Sequence, residues 1–448
     1  MGLKSNVYEK LNNAVDKADE KTLEGVQIIS MAASSIKNLT DGIDEIDDEI
    51  YELGEKGKIG FGVATALPSV WENAGVIPLS GHDSLLSENY GNYMHMKSGA
   101  IMVYIPKHYF KIDGNTFSYS TTPKSGYVLD RSFINGGEEQ PGIFVSKYQA
   151  TNNNGVLSSQ QGKDPLSTKS THNPIGDLLN TPTNNFGGCY SAVKGMDEKA
   201  FLTPIYVWSM LARMAKAHGE AATSTIACAF SDIEPRLPKG NNNNALGDVN
   251  DSSISFVESG YSSCALTGSG DVFAKTTHNG QECGVADMNG NMNEVVSGFI
   301  RTDEDGFLVL KEEIDITTLV DATSIDTTGA YYVGNYDVIN ISDFNNGEED
   351  NLKFGNGTNQ VFAFSTDRAS SDYKRTAIMQ PLANGASSSG TTEFGQDLAN
   401  RYLRDNMSCL VGGYWGNSSD AGVFFVAVSN TSLTSNVSVG LRACIYAS

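Results

Sequence analysis

The chain is short of positive charge. Its 448 residues hold 31 Lys and Arg against 53 Asp and Glu, a formal net charge of −22. Affinity for phosphate backbones comes from cations that displace counterions, so nucleic acid is not an expected partner. No run approaches the ~18 apolar residues of a membrane span, and membrane insertion is not expected. The opening stretch MGLKSNVYEKLNNAVDKADEK has no apolar core of a secretory signal. Asn6 stands where a myristoylation start needs Ser or Thr. No two of the six cysteines are spaced CxxC, which removes zinc-ribbon and thioredoxin readings. Reduced core thiols are the expected state, and Cys409–Cys444 is the one pair to check for a bridge. HExxH, GxxxxGK[ST] and GxSxG are all missing. His82, His95, His108, His172, His218 and His278 show no metal-ligand spacing. Proline is scarce, at 12 against 46 glycines, so a loop-rich protein leaning towards β-structure is expected.

Hydrophobic residues at 40% and charged residues at 19% are enough for a real core. Three regions differ in pattern. In residues 1–56, Ile36, Leu39, Ile43, Ile46, Ile50 and Leu53 alternate spacings of three and four. That is a heptad seam, and it predicts a coiled-coil helix that self-associates, with dimer or trimer open and a trimer favoured. Gly54, Gly57, Gly60 and Gly62 then predict the end of the helix and a flexible joint. Residues 57–139 read as a β-rich connector. Gly99–Ile112 predicts a buried strand, a turn at Pro106 and an alternating strand. Residues 140–448 read as the main domain. Gly142–Asn152 predicts a strand, and Thr203–Gly219 a helix with Trp208, Leu211, Ala212 and Ala215 along its apolar stripe and Gly219 as its cap. The acidic stretch 301–351 reads as an insertion or surface excursion.

ADMNGNMNEV brings oxygen-bearing side chains together at Asp287, Asn289, Asn291, Asn293 and Glu294, with Gly290 for a sharp turn. Hard cations want several oxygen ligands on a tight loop, so calcium is the one cofactor suggested. The alternative is an Asn/Gly turn leading into a strand.

Several segments together carry a resemblance. Phe144–Asn152 (FVSKYQATN) is similar to the FxxxKYEVTN strand of the formylglycine-generating, sulfatase-modifying enzyme family. The Trp208 helix sits where that family has WxxAxAYC. RLPKG resembles RLPTE, and GVADMNGNMNEVVSGF resembles DMxGNVWEW with Asn293 and Val295 in the aromatic positions. Val411–Ser448 resembles the terminal RGGSW…GFR segment. The resemblance covers roughly residues 140–448 and implies an α+β fold of the C-type-lectin type. It also implies calcium ligands at Asp287 and Glu294 with the Gly290 and Met292 carbonyls. The reactive cysteines of the enzymes are absent from Gly412–Val428, so the resemblance implies the scaffold and not the chemistry. EPN, QPD and WND, the sugar-binding motifs of C-type lectins, are also absent.

The terminal segment is more similar still to non-enzymatic phage members of this fold. That likeness implies a phage virion protein: a homo-oligomeric fibre-like or decoration subunit that recognises a host-surface receptor non-covalently. Its N-terminal region would attach it to other virion proteins. Tyr414, Asn417, Ser419, Asp420, Asn430 and Asn436 are the expected contacts, because rigid aromatic area and short polar groups suit adaptable binding surfaces. An oxidase of the formylglycine-generating type and a bacterial surface adhesin are the alternatives.

Overall fold

The computed structural model describes residues 53–222, 228–230, 253–257, 264–270, 276–302, 306–319, 334–339, 349–402 and 406–447. Ile36, Leu39, Ile43, Ile46 and Ile50 lie outside these residues, as does the RLPKG turn at 236–240. Leu53–Ser448 is one compact α+β unit, mostly β. Four α-helices occur among the described residues, and only Ile205–Ala221 is long.

Two sheets frame the unit. The first runs Val76–Pro78, Asn92–His95, Ile101–Pro106, Gly142–Ser146, Ala443–Tyr446 and Phe201–Leu202, with every neighbour antiparallel. One register row crosses four of these strands through Val103, Val145, Cys444 and Phe201. All four side chains are buried, Phe201 included although its strand lies at the edge of the sheet. The second sheet has nine strands among the described residues. Its centre is Asn293–Thr302, flanked by Gly306–Leu310 and Met407–Val411. Beyond Met407–Val411 come Val426–Thr431, Leu398–Tyr402 and Glu349–Phe354. Val439–Leu441 pairs in parallel with the first residues of the central strand.

The helix Ile205–Ala221 packs against strands Thr116–Ser120 and Asn293–Thr302 and helix Ser371–Ala377. Residues 205–218 are all buried, so the helix is enclosed all round and not amphipathic at a surface. It runs on past Gly219, which is therefore not its cap. Its charged residues are paired inside: Arg213 with the Asp130 carboxylate, and Lys216 with Glu220 and the Asn115 carbonyl at 3.0 Å. Burying those charges without such partners would cost several kcal/mol each, in order of magnitude.

Three boundaries expected from the sequence shift. Leu53 is buried in the core of the body, and Gly62 N–H donates to its carbonyl at 2.7 Å. It is thus not available to an intermolecular seam, because the glycine turns fold the chain straight back. These turns are held: Gly57 N–H donates to His218 Nδ1 at 3.3 Å and Gly60 N–H to Gln281 Oε1 at 2.9 Å. Residues 57–139 are not a separate connector, since Ile101–Pro106 pairs directly with Gly142–Ser146. The stretch 301–351 is not wholly an excursion either. Gly306–Leu310, Tyr336–Ile339 and Glu349–Phe354 are strands of the large sheet.

Candidate functional site

The end of the chain folds over the large sheet and leaves a cleft of about 250 Å³. Leu410, Ala427 and Asn400 lie in one row across three adjacent strands and form part of its floor. Leu398, Phe425 and Val439 add apolar surface, and Phe186 closes one side. The rim is polar: Tyr414 and Asn417 from the Gly412–Gly413 turn, Ser429 and Asn430 from the end of a strand, and Asn436 and Ser438 from the loop after it. Asn293, the first residue of the central strand, completes it. Among the described residues, no Asp, Glu, Lys, Arg or His lines the cleft.

Local hydrogen bonds fix the rim. Asn417 Oδ1 accepts from Tyr414 N–H, and Asn417 N–H donates to the Tyr414 carbonyl, both at 2.9 Å. A Cβ on Gly413 would lie 2.5 Å from that of Ala421, and its φ is +80°, so only glycine fits the turn. The Tyr414 ring lies over Gly416, where a Cβ would come within 2.7 Å of it. Thr168 holds the other side through its Oγ1, which donates to the Asn436 carbonyl and accepts from Asn436 N–H, each at 3.0 Å. Asn436 Oδ1 accepts from Ser438 N–H and Oγ–H.

Of the six expected contacts, Tyr414, Asn417, Asn430 and Asn436 converge on this cleft. Ser419 and Asp420 do not line it, and the Asp420 carboxylate instead pairs with Lys353 at 2.6 Å. Trp415 is buried, packed in a small cluster with Val257, Cys264 and Met292. Sequence reasoning names Asn293 only among the oxygens of a possible calcium loop, not as a receptor contact, and misses Asn400 altogether. A signal for Asn293 exists: it is an amide in a position where the resembled motif has an aromatic ring. Asn400 carries no local signal, because it reaches the cleft only through the parallel pairing of Leu398–Tyr402 with Val426–Thr431.

The expected calcium ligands do not fit an ion. Both Glu294 oxygens accept from Arg442, from Nε at 2.9 Å and from a terminal nitrogen at 2.8 Å. Asp287 accepts from Gly268 N–H at 3.0 and 3.2 Å. The Met292 and Gly290 carbonyls receive the Gln149 amide at 3.0 and 3.4 Å. The guanidinium stands where a cation would, and it also donates to the Ser146, Lys147 and Ala286 carbonyls. Burial opposes the charge on Arg442, but the Glu294 carboxylate outweighs it and raises the guanidinium above its ordinary value. The tight turn into a strand is the arrangement found, with Asp287 at φ 60° and Asn291 at φ 66°.

A slightly larger cleft, about 290 Å³, lies beside Arg131, Glu312, Arg368 and Lys374. Its charges serve one another: Lys374 pairs with Asp337 at 2.5 Å and Arg368 with Glu312 at 3.3 Å. Arg131 donates to the Ile134, Leu310 and Lys311 carbonyls. No disulfide joins any of the six cysteines, Cys409 and Cys444 included, and all six are buried. Burial raises the Cys409 thiol far above its ordinary value and pushes the Cys444 thiol up to about 12. No protein-family model matches the chain, and no curated protein matches it significantly. No helix among the described residues is long and apolar enough to cross a membrane.

Proposed function

We propose that the chain is a phage virion protein, a fibre-like or decoration subunit whose C-terminal region binds a host-surface receptor without covalent chemistry. On this reading the body is a C-type-lectin-like domain, and residues 1–52 with their heptad pattern join copies, as a trimer, and attach them to the particle. The observation that carries the proposal is the convergence of Tyr414 and Asn417 from one turn, Asn430 from a strand end and Asn436 from a loop on one uncharged cleft with an apolar floor. A concave site with an apolar floor and a few convergent polar groups is what ligand recognition uses.

The formylglycine-generating alternative needs a reactive thiolate. The buried thiols with raised pKa favour the non-enzymatic reading, since a nucleophilic cysteine has a lowered pKa and is accessible. The adhesin alternative predicts the same binding without a particle.

The test is adsorption of the purified chain to a panel of bacterial strains. Replacing Tyr414 and Asn417 together with Ala should reduce adsorption and leave the chain folded and its oligomeric state unchanged. Antibody labelling of intact particles should find the chain on the virion. Undiminished adsorption by the double variant would place the contact surface elsewhere.

A further inference from the structure

We infer that the cleft takes an uncharged, hydroxyl-rich ligand, a neutral sugar unit, and that Asn293 is a residue that selects it. This rests on the recognition reading above and names the class of its ligand. The first observation is charge. In a chain of net charge −22, no charged side chain among the described residues enters this lining. A charged ligand group would lose hydration there and gain no counter-charge.

The second is the inventory of donors and acceptors. Asn293 is 6% exposed, lines the cleft, and its Oδ1 is buried with no hydrogen-bond partner among the described residues. Buried polar atoms are almost always paired, so this buried carbonyl lacks the donor that a ligand seated in the cleft would supply. Around it, the Asn417 and Asn436 carbonyl oxygens are already engaged by the chain itself. What those two amides can offer a ligand is their N–H groups. Asn430 uses its Nδ2 on Ser429, which leaves its oxygen as a further acceptor. Acceptors and donors set side by side suit hydroxyl groups, each of which gives one hydrogen bond and takes two.

The third is shape. Leu410 and Phe425 give an apolar floor, and the Tyr414 ring is held by its packing on Gly416. The C–H face of a sugar ring can lie on such surface while its hydroxyls meet the amides. The space, about 250 Å³, is at or below the small end of ligand clefts. It admits one ring and not a folded segment. An extended peptide would seek an open strand edge. The floor strands Met407–Val411 and Val426–Thr431 are paired on both sides and offer none.

The experiment uses the full chain on immobilised neutral, sialylated and uronate-containing oligosaccharides, and on bacterial cells pretreated with periodate or with protease. Binding to neutral sugars is expected. Asn293→Leu should weaken it by at least about tenfold, since the ligand's donor loses its acceptor. The same variant should melt at the same temperature or higher, because an unpaired buried carbonyl is removed. A merely structural Asn293 would give a lower melt. If Asn293→Leu does not fold, Asn417→Ala and Asn436→Ala at the rim should show the loss. Binding only to charged sugars, binding to no sugar, or full affinity in all three variants would overturn the assignment. Attachment to cells that periodate abolishes and protease spares supports it. Protease-sensitive, periodate-resistant attachment overturns the sugar and leaves the recognition reading standing. Sugar binding without attachment to any cell would do the reverse.

Discussion

The indole N–H of Trp208 donates to the carbonyl of Val423 at 2.8 Å, and both residues are fully buried. The bond ties the central helix to the turn that carries Tyr414 and Asn417. Gly412 packs against the far edge of the same indole. The rim of the cleft is therefore anchored to the innermost helix of the body and not only to its own loop.

Trp208→Phe should thus cost stability and binding together. The lost volume and the Val423 carbonyl left without this donor predict a loss of about 2–4 kcal/mol, read by denaturant unfolding. Tyr414→Phe, at the rim, should stay within about 0.5 kcal/mol of the parent. Equal stability for the two variants would show that the indole bond does not hold the turn.

The Glu294–Arg442 pair joins the start of the central strand to the last segment. Arg442→Met alone should destabilise by about 3–5 kcal/mol, because it strands a buried carboxylate. Replacing both residues by Met should cost clearly less than the two single changes added together. A double-mutant cycle measures this, and additivity would mean the two charges are not coupled.

A metal chelator should leave the melting temperature unchanged, since protein donors already occupy the Asp287 and Glu294 oxygens. A melt lowered by chelation and restored by calcium would reveal an ion bound to the native state alone, and would require Arg442 to move.

Acid should weaken the fold between about pH 6.5 and about 4. Burial lowers the His108 and His218 rings to about 4 and His278 to about 3. The unfolded chain therefore takes up protons first as pH falls. The stability these neutral rings contribute is full above the ordinary histidine value of about 6.5, declines below it, and is gone beneath the folded values. For His108 this amounts to about 3 kcal/mol. Asp164, raised by burial to about 6, works the other way, but it is one partly buried group against three rings. The His108 ring packs between Tyr119 and Phe133. His108→Phe should flatten the dependence of melting temperature on pH over this range. An unchanged slope would show that His108 does not titrate on unfolding.

A chain that begins at Leu53 should fold with the stability of the parent body. One that begins at Val63 should not, since it lacks the buried Leu53 and Phe61. Circular dichroism melts of the two distinguish these outcomes. Equal melts would mean that the glycine turns only cover the core.

Local pattern makes a good part of this legible. The two strands after Gly99, the strand at Gly142 and the helix at Trp208 all announce themselves through apolar runs and a turn residue. Four cleft residues can be named because the Gly-rich turn and the loops after it are rich in Tyr and Asn. What stays hidden depends on partners distant in sequence. Glu294 reads as a metal ligand until the fold brings Arg442 to it. Leu53 reads as a seam residue because a 3-4 spacing does not say which surface covers it. Asp420 reads as a receptor contact until Lys353 is placed beside it.

The strand Ala443–Tyr446 lies inside the first sheet, between Gly142–Ser146 and Phe201–Leu202. Its partner Val145 leaves the ribosome roughly 300 residues before Cys444, and such distant pairings form late. Until then the strand Gly142–Ser146 has an unpaired apolar edge, open to sticking to other chains. Synthesis stopped before Ala443 should yield an insoluble product and not a smaller working body. Only chains completed through this strand can close the sheet.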